Sequence, residues 1–356
     1  MGTVLFRVDG AQEIGMGHVM RCLALAQEME VRGIRPVFVV VNYDDSVQRI
    51  VRRFGYAVET IPKAMGREEH VRRVVQSAKT NAARCIVTDL CYPRALADVK
   101  GYREYLAQMR AHGFFIVAID DLNVARFSSH IVVNPNLGAE SLAYERRGAP
   151  KYLLGADYFM FRKEFIDVAK VWRDIGVIGR KVLVTMGGTD SHGVTLAVAR
   201  ALARPDMPPD LDVRILMGVI FPDAVERGLK TIAEASKAPI RLYGEVDNVA
   251  AHMLWADVAI TSGGLTKYET AVTGTPSIII SQVESQMQVS ERFAREGSAL
   301  NLGLGAELSD DYLARVVKDL LGDHGARTKM SESGKRLMDG RGCERVVSEI
   351  PAEVLR

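Results

Sequence analysis

The sequence predicts an α/β protein of two doubly wound, Rossmann-like domains that face a central cleft. Apolar runs of strand length alternate with longer segments of helical periodicity, which is typical of βαβ units and parallel sheets. The same alternation begins a second time near residue 181. The chain has 356 residues, whereas a single core usually stops growing at roughly 250 to 300 residues.

The first domain is predicted to contain strands at 3–8, 36–41, 85–89, 114–119 and 130–133. Its clearest helix covers 17–32, because apolar side chains recur there every three or four residues. These side chains are Val19, Cys22, Leu23, Ala26 and Met29. Gly33 follows directly and is a typical helix stop.

The second domain is predicted to contain strands at 182–186, 213–217, 240–243, 258–261 and 277–281, each followed by helix-forming sequence. The segment 158–175 carries many charges and aromatic residues but no good strand, which favours a helix and a linker. We therefore divide the chain into domains 1–170 and 171–356 and expect the last helix to pack back on the first domain.

Composition excludes several classes of function. With 48% hydrophobic and 25% charged residues and a formal charge of +2, the chain has no basic excess for binding a nucleic acid. The four cysteines, Cys22, Cys85, Cys91 and Cys343, form no CxxC pair, which is typical of reduced thiols. Charges interrupt every apolar run before the ~20 residues of a membrane span. We expect a cytoplasmic protein, a monomer by preference, without a membrane partner.

Metal ligation is not predicted either. The DxD at 210–212 precedes a predicted strand and is expected to be a surface turn. The histidines other than His18 lack paired ligand spacing. We therefore expect no metal and no cofactor.

The first motif, QEIGMGHVMRC, lies between the strand at 3–8 and the helix at 17–32. Met20 occupies the third glycine position of a dinucleotide fingerprint, which argues against a nicotinamide site. His18 is expected in the first turn of the helix, where the helix dipole disfavours a protonated imidazole. A neutral imidazole can accept a proton near pH 7. The alternative is that His18 only hydrogen-bonds a neighbouring group.

The second motif, MGGTDSHG at 186–193, follows the first strand of the second domain. Paired glycines before a helix expose backbone N–H groups, which favours an anion. The alternative is that Asp190 or Ser191 only caps the helix. The chain has no GxxxxGK[ST] sequence, so an ATPase or kinase is disfavoured.

The third motif, TSGGLTKYETAVTGTPSIII at 261–280, again joins a strand to a helix through two glycines. The donor-rich helix start suits a phosphate group. Glu269 lies one turn inside this helix, where it can accept hydrogen bonds from paired hydroxyls such as those of a ribose. The alternative for Glu269 is a solvated surface glutamate.

Together these stretches resemble nucleotide-sugar enzymes of the GT-B architecture. The resemblance is to the group that contains the UDP-2,4-diacetamido-2,4,6-trideoxy-β-L-altropyranose hydrolase of pseudaminic acid biosynthesis and the spore-coat polysaccharide protein SpsG. It covers nearly the whole chain and depends on six motifs: FRVD at 6–9, IGMGHVMRCLALA at 14–26, IDD at 119–121, YFMFRKEF at 158–165, MGGTD at 186–190 and GGxTxxE at 263–269.

The resemblance implies a UDP-sugar as substrate and a metal-independent, inverting hydrolysis that releases UDP and the free sugar, in pseudaminic acid or surface polysaccharide biosynthesis. It implies that His18 is the catalytic base. The residues implied to bind the sugar are Asp9, Gly15, Gly17, Arg21, Tyr92 and Gln286. The residues implied to bind UDP are Gly187, Gly188, Thr189, Asp190, Tyr243, Val249, Ser262, Gly263, Gly264, Thr266 and Glu269.

Two further points stay open in the sequence. Asp9 and Glu13 flank the loop before His18 and are candidates for orienting it or for binding sugar hydroxyls, and Asp89 and Asp121 are further acidic candidates. The same base could also activate an acceptor hydroxyl in a glycosyltransferase, or the chain could bind nucleotide-sugars without catalysis. We expect hydrolysis, because no stretch of the sequence indicates the apolar or basic-aromatic surface that a transferase for lipid-linked acceptors would present to a membrane.

Overall fold

The computed structural model describes residues 2–11, 14–90, 99–121, 123, 126–144, 150–190, 192–218 and 220–356. The chain divides into two compact units. Unit 1 consists of Met1–Lys163 and Arg341–Arg356, and unit 2 of Glu164–Gly340.

Unit 1 contains a seven-stranded sheet in the order β3-β2-β1-β4-β5-β6-β7, and each pairing between these strands is parallel. The strands are β1 (Thr3–Val8), β2 (Arg35–Asn42), β3 (Ala57–Pro62), β4 (Cys85–Asp89), β5 (Phe115–Ile119), β6 (Ile131–Asn134) and β7 (Lys151–Leu154). All six residues of β1 are buried, as expected for a central parallel strand that is covered on both faces.

The described helices of unit 1 are α1 (Gly17–Val31), α2 (Ser46–Arg53), α3 (Arg67–Thr80), α4 (Val99–Ala111) and, from the end of the chain, α13 (Gly342–Ser348). Leu5 and Ile86 of the sheet pack in one apolar cluster with Val74 of α3 and Leu106 of α4. Burying such a side chain contributes roughly 1.5 to 3 kcal/mol. The chain after Arg341 packs within the same unit, where the Cys343 thiol donates to the Phe161 carbonyl at 3.6 Å.

Unit 2 contains a six-stranded sheet in the order β10-β9-β8-β11-β12-β13, again with parallel pairings. The strands are β8 (Lys181–Thr185), β9 (Asp212–Leu216), β10 (Ile240–Tyr243), β11 (Val258–Ser262), β12 (Ser277–Ser281) and β13 (Ala299–Leu304). The helices are α5 (Lys163–Val168, which starts at the unit boundary), α6 (Val194–Leu202), α7 (Asp223–Ala235), α8 (Val249–Trp255), α9 (Thr266–Thr273), α10 (Met287–Arg295), α11 (Asp310–Gly322) and α12 (His324–Leu337). The core joins Val182, Val213 and Ile260 of the sheet to Val198 of α6 and Val317 of α11.

Three strands that the sequence did not predict are edge strands. They are β3, β7 and β13, which end the two sheets. An edge strand has only one neighbour and a solvated side, so its residues lack the continuous apolar run that marks a central strand. In β3, only Ile61 is fully buried.

In each sheet the strand order reverses direction at one place, the switch point. In unit 1 the chain moves from β1 outward to β3 and then returns to β4 on the other side of β1, and unit 2 repeats this at β8 and β11. Ligands of doubly wound sheets bind outside the carboxyl ends of the strands at such switch points. The three motifs follow β1, β8 and β11, so all three lie at a switch point.

Candidate active site

His18 and Asp89 meet at the switch point of unit 1. Asp89 ends β4 and pairs with Val8 at the end of β1, and His18 is the second residue of α1. The Nδ1 atom of His18 lies 2.7 Å from Oδ1 of Asp89. The His18 side chain is 16% exposed and the Asp89 side chain is fully buried, so the histidine is the member of the pair that solvent can reach.

The contact with Asp89 fixes the tautomer of His18. An ionised carboxylate can only accept a hydrogen bond, so Nδ1 must carry the proton and donate it. If Nδ1 were bare, two lone pairs would oppose each other at 2.7 Å. The Nε2 atom therefore keeps a lone pair when the ring is neutral, and this is the atom that can accept a proton.

The pKa of His18 shifts in the direction opposite to the sequence expectation. Burial of the ring opposes protonation, but the Asp89 carboxylate outweighs it and raises the pKa of His18 above its usual value. The expectation that the helix dipole keeps the imidazole neutral is therefore wrong in direction. A full negative charge in hydrogen-bond contact is stronger than the partial charge at a helix end.

Arg21 holds the carboxylate that orients His18. It lies one turn after His18 on the same face of α1, and its Nε and Nη2 donate to the two oxygens of Asp89 at 2.5 and 2.7 Å. Its Nη1 and Nη2 also donate to Asp121 at 2.6 and 2.8 Å. Burial favours neutral carboxyls, but the guanidinium lowers the pKa of Asp89 and of Asp121. His18, Asp89, Arg21 and Asp121 thus form one network of hydrogen bonds and ion pairs.

This network corrects the predicted role of Arg21. The residue was predicted to bind the sugar, but it is 4% exposed, and Nε, Nη1 and Nη2 are all engaged by carboxylates. Its partners lie 68 and 100 residues away in the sequence, so the motif alone did not reveal them. The structure assigns Arg21 to positioning Asp89 and, through it, His18.

The loop after β5 holds Asp121 in place. Asn136 donates through Nδ2 to Oδ1 of Asp121 at 3.2 Å. The preceding residue, Asp120, is fully buried and accepts hydrogen bonds from the Tyr144 hydroxyl and from the Asn123 backbone N–H. In the IDD motif, Asp120 therefore fixes the loop and Asp121 joins the charged network.

Asp9 does not orient His18. It follows β1, and both of its carboxylate oxygens accept hydrogen bonds from the buried Arg7, at 2.7 and 3.1 Å. Asp89, a candidate without a specific role in the sequence analysis, occupies the orienting position. The predicted contact of Asp9 with a sugar stays a prediction.

The glycines before His18 shape the turn into α1. Gly15 has φ +84°, the left-handed region that glycine adopts without strain, and its N–H donates to the Ala11 carbonyl at 2.8 Å. Gly17 is the first residue of α1. Their predicted contact with the sugar stays a prediction. Glu13 and Tyr92 lie outside the described residues.

In unit 2, the residues Gly187, Gly188 and Thr189 form a half-buried turn after β8. Gly187 has φ +84°. The end of β9 packs tightly against this turn, because a Cβ on Gly218 would lie 2.3 Å from the Gly188 carbonyl oxygen. Two glycine segments thus fit together here without room for side chains.

The side chain of Asp190 caps a helix. Its residue is fully buried, and its two oxygens accept the N–H groups of Val194 and Thr195 at 3.0 and 2.9 Å. These are the first two residues of α6. The side chain of Asp190 is therefore a helix cap, as in the capping alternative, and the predicted contact of Asp190 with UDP stays a prediction. The first N–H groups of α6 already have a hydrogen-bond acceptor, so this helix end is not available to an anion. The part of the motif that remains for an anion is the Gly187–Gly188 turn.

The second glycine pair lies beside the first. The Gly264 N–H contacts Oγ of Ser262 at 3.4 Å, and a Cβ on Gly187 would lie 3.5 Å from the same Oγ. A Cβ on Gly263 would lie 2.8 Å from Cβ of Gln286. The structure therefore brings together the predicted UDP-binding residues Gly187, Ser262, Gly263 and Gly264, and it places the predicted sugar-binding Gln286 next to them.

Thr266 and Glu269 follow on the helix after this turn. Thr266 is the first residue of α9 and is buried, and Glu269 is half-buried one turn later. The side-chain amide oxygen of Gln286 accepts the Gln282 N–H at 2.9 Å. The roles predicted for Thr266, Glu269 and Gln286 toward UDP or the sugar stay predictions.

Tyr243 and Val249 lie at the end of β10 and the start of α8. The Tyr243 ring packs against His252, with 5.0 Å between ring centroids. The Val249 N–H donates to Oε1 of Glu164 at 3.2 Å. The Glu164 carboxylate thus occupies the backbone donor of Val249, and the contacts predicted for Tyr243 and Val249 with UDP stay predictions.

Within the described parts of the chain, no group of three or more His, Cys, Asp or Glu side chains is arranged to hold a metal ion. Asp210 and Asp212 of the DxD sequence instead pair with Arg180 and Arg241. No helix among the described residues has the length and apolarity to cross a membrane.

Comparison with known proteins agrees with this architecture. No protein-family model matches the sequence. The chain is 26% identical over 348 residues to the spore coat polysaccharide biosynthesis protein SpsG of Bacillus subtilis, which covers 96% of this chain and 95% of SpsG. It is 27% identical over 175 residues to the UDP-N-acetylglucosamine–N-acetylmuramyl-(pentapeptide) pyrophosphoryl-undecaprenol N-acetylglucosamine transferase of Mannheimia succiniciproducens, 48% of this chain and 47% of the transferase.

Among solved structures, MurG of Acinetobacter baumannii matches with a TM-score of 0.66 and 14% identity, covering 98% of this chain and 99% of MurG. The predicted fold class of two doubly wound domains is confirmed by the two parallel sheets and by this match. The chain is thus similar to SpsG over nearly its full length, and it has the GT-B fold.

Proposed function

We propose that this protein hydrolyses a UDP-activated amino or deoxy sugar at the anomeric C–O bond and releases UDP and the free sugar. The observation that carries the proposal is the pair formed by His18 and the buried Asp89, with 2.7 Å between Nδ1 and Oδ1. A histidine whose Nδ1–H is held by a carboxylate presents Nε2 as a general base, and such a base commonly contributes about 10²- to 10⁴-fold in rate.

The proposed step moves one proton and breaks one bond. Nε2 of His18 accepts a proton from water as the water oxygen attacks the anomeric carbon. The bond between that carbon and the diphosphate oxygen breaks, and its electron pair leaves with UDP. The imidazolium that forms is stabilised by Asp89, while Arg21 lowers the pKa of Asp89 and so keeps the proton on the histidine.

Unit 2 supplies the proposed diphosphate site. The turns at Gly187–Gly188 and Gly263–Gly264 both lie next to the Ser262 hydroxyl. Backbone N–H groups of such turns are suited to the charge that grows on the leaving diphosphate. Uridine is proposed because the transferase relative is named for a UDP-sugar. SpsG is named for spore coat polysaccharide biosynthesis, which supports a place in surface polysaccharide biosynthesis.

A glycosyltransferase is the second candidate, and one observation favours it. Val171, Trp172, Val177 and Ile178 are exposed by 46, 68, 74 and 61%. All four lie within the segment 171–178, where no apolar stretch of this kind was expected from the sequence. Exposed apolar residues that include a tryptophan suit a lipid-linked acceptor, and the transferase relative is named for an undecaprenol-linked acceptor.

One incubation separates the two candidates. Purified protein is mixed with a panel of UDP-sugars without acceptor, and UDP and free sugar are measured by mass spectrometry. Equal amounts of UDP and free sugar are expected for the hydrolase. Release of UDP only after a sugar-lipid or glycan acceptor is added would identify the transferase instead, and binding without turnover would contradict both enzymes.

A further inference from the structure

The first turn of α9 contains a lysine in an unfavourable place. Lys267 is the second residue of α9 and is only 4% exposed. A positive charge at a helix N-terminus opposes the helix dipole, and burying an ammonium group removes it from water. Positions that break such local rules are expected at functional sites.

The ammonium group of Lys267 binds the carbonyl groups of the second glycine pair, Gly263–Gly264. Its Nζ donates to the Gly263 carbonyl and, at 3.0 Å, to the Gly264 carbonyl. The Tyr268 and Phe293 rings lie 5.2 and 5.9 Å from Nζ and cover it. The side chain reaches back along the helix because helical side chains tilt toward the N-terminus.

Holding these two carbonyls also sets the direction of the next two amides. In a trans peptide the C=O and the following N–H point in opposite directions. With the Gly263 and Gly264 carbonyls turned toward Lys267, the N–H groups of Gly264 and Leu265 point away from it. The Gly264 N–H does so, because it contacts Oγ of Ser262 on the side of the Gly187 turn.

We propose that Lys267 is the positioning residue of the diphosphate site. Through its hydrogen bonds to the Gly263 and Gly264 carbonyls, it orients and polarises the amides that bind the phosphates. It also supplies positive charge there without touching the ligand. This inference rests on the proposed function. A hydrogen bond to a carbonyl strengthens the donor on the other side of the same peptide, and a buried charge is little screened by salt. Lys267 is thus predicted to act on the phosphates and not on the nucleoside.

The test compares UDP with uridine by calorimetry in three proteins: the wild type, Lys267→Met and the control Lys230→Met, which removes an exposed lysine of α7. We expect Lys267→Met to weaken UDP binding by about ten- to a hundredfold, the usual effect of losing a charge-assisted contact. Uridine affinity is expected to change less than about twofold in all three proteins. Lys267→Gln keeps N–H donors for the carbonyls and loses the charge. It is expected to fold like the wild type and to bind UDP with an affinity between those of the wild type and Lys267→Met.

The outcomes are distinguishable. Parallel losses of UDP and uridine affinity in Lys267→Met and Lys267→Gln would show that Lys267 only supports the fold. This result, or an unchanged UDP affinity in both variants, would overturn the inference about Lys267 and leave the proposed function standing. Absence of UDP binding by the wild type would contradict the proposed function itself. A selective loss for UDP supports both.

Discussion

The Nδ1 atom of His18 lies 2.7 Å from Oδ1 of Asp89, although 71 residues separate the two in the chain. The parallel pairing makes this contact possible, because β1 and β4 are neighbours and α1 follows β1 and begins near their carboxyl ends. Arg21 then joins Asp89 to Asp121. The pair is therefore held by Arg21 of α1 and, through it, by Asp121 after β5.

Replacing His18 by alanine tests the base. We expect turnover to fall about 10²- to 10⁴-fold, because no group takes the proton from water. The affinity for UDP should stay unchanged, since His18 is in unit 1 and the proposed diphosphate site is in unit 2. UDP release and calorimetry measure the two effects, with His112→Ala on the surface of unit 1 as control. An equal loss of binding and turnover would mean that His18 binds the nucleotide.

The pH dependence of turnover tests the charge on His18. Asp89 raises the pKa of His18 above its usual value against the effect of burial, and only the neutral ring can act as a base. The acidic limb of kcat/KM should therefore have an apparent pKa above the usual ~6.5 of histidine.

Asp89→Asn should move that limb to lower pH, because the ring loses its counter-charge while Arg21 keeps its positive charge. Turnover at the new optimum should also fall, since the imidazolium is no longer stabilised. Glu68→Gln, an exposed change on α3, is the control. A limb that stays in place in Asp89→Asn would mean that another group titrates.

Arg21→Met tests the network as a stabilising element. The buried Asp89 and the half-buried Asp121 would lose their guanidinium partner. Breaking a buried pair typically costs about 3 to 5 kcal/mol in the free energy of unfolding. Arg21 lowers the pKa of both carboxyls in the folded state, so its contribution is present above the ordinary carboxyl pKa and is lost as the pH falls through the folded values.

Urea unfolding at pH 7 and in acid measures this effect. The difference between wild type and Arg21→Met should be largest at pH 7 and should shrink in acid, and Arg103→Lys on the surface of α4 is the control. A difference that is equal at both pH values would argue against ionised carboxylates in the network.

Asp190→Ala tests the assignment of Asp190 as a cap. Removing a helix-capping carboxylate costs about 1 kcal/mol in the free energy of unfolding. Asp190→Asn, which keeps one acceptor oxygen, should cost less. UDP affinity under conditions where the variants are folded should not change. A selective loss of UDP affinity without loss of stability would restore the residue to the binding site.

Gly218→Ala tests whether the glycine turn after β8 binds UDP. The new Cβ would lie 2.3 Å from the Gly188 carbonyl oxygen, so the turn must move, and we expect weaker UDP binding. Gly322→Ala, where a Cβ meets nothing within 4 Å, is the control. An unchanged affinity for UDP in Gly218→Ala would place the diphosphate elsewhere.

The sequence predicted the central strands well because their burial on both faces leaves continuous apolar runs, as in β1. It missed β3, β7 and β13 because edge strands do not need such runs. Motifs after strands correctly indicated where polar residues gather, since the carboxyl ends of parallel strands share one edge of the sheet.

Which side chains form ion pairs with one another could not be predicted in the same way. The ends of β4 and β5 marked Asp89 and Asp121 as candidates, but which cation each binds depends on contacts over 68 to 100 residues. Arg21 was misread for this reason. For Asp190 the sequence left the two roles open, because a short polar residue before a helix fits both a cap and a ligand contact. Its burial and its two hydrogen bonds to the first N–H groups of α6 identify the cap.

Turnover in ¹⁸O-labelled water is the most direct test of the proposed reaction. The UDP-sugar that the panel identifies is converted without acceptor, and the products are weighed by mass spectrometry for wild type and His18→Ala. We predict free sugar and unlabelled UDP, formed far more slowly by the variant, because water attacks the anomeric carbon. Label in UDP, or formation of UMP and a sugar phosphate, would show attack at phosphorus and contradict the account.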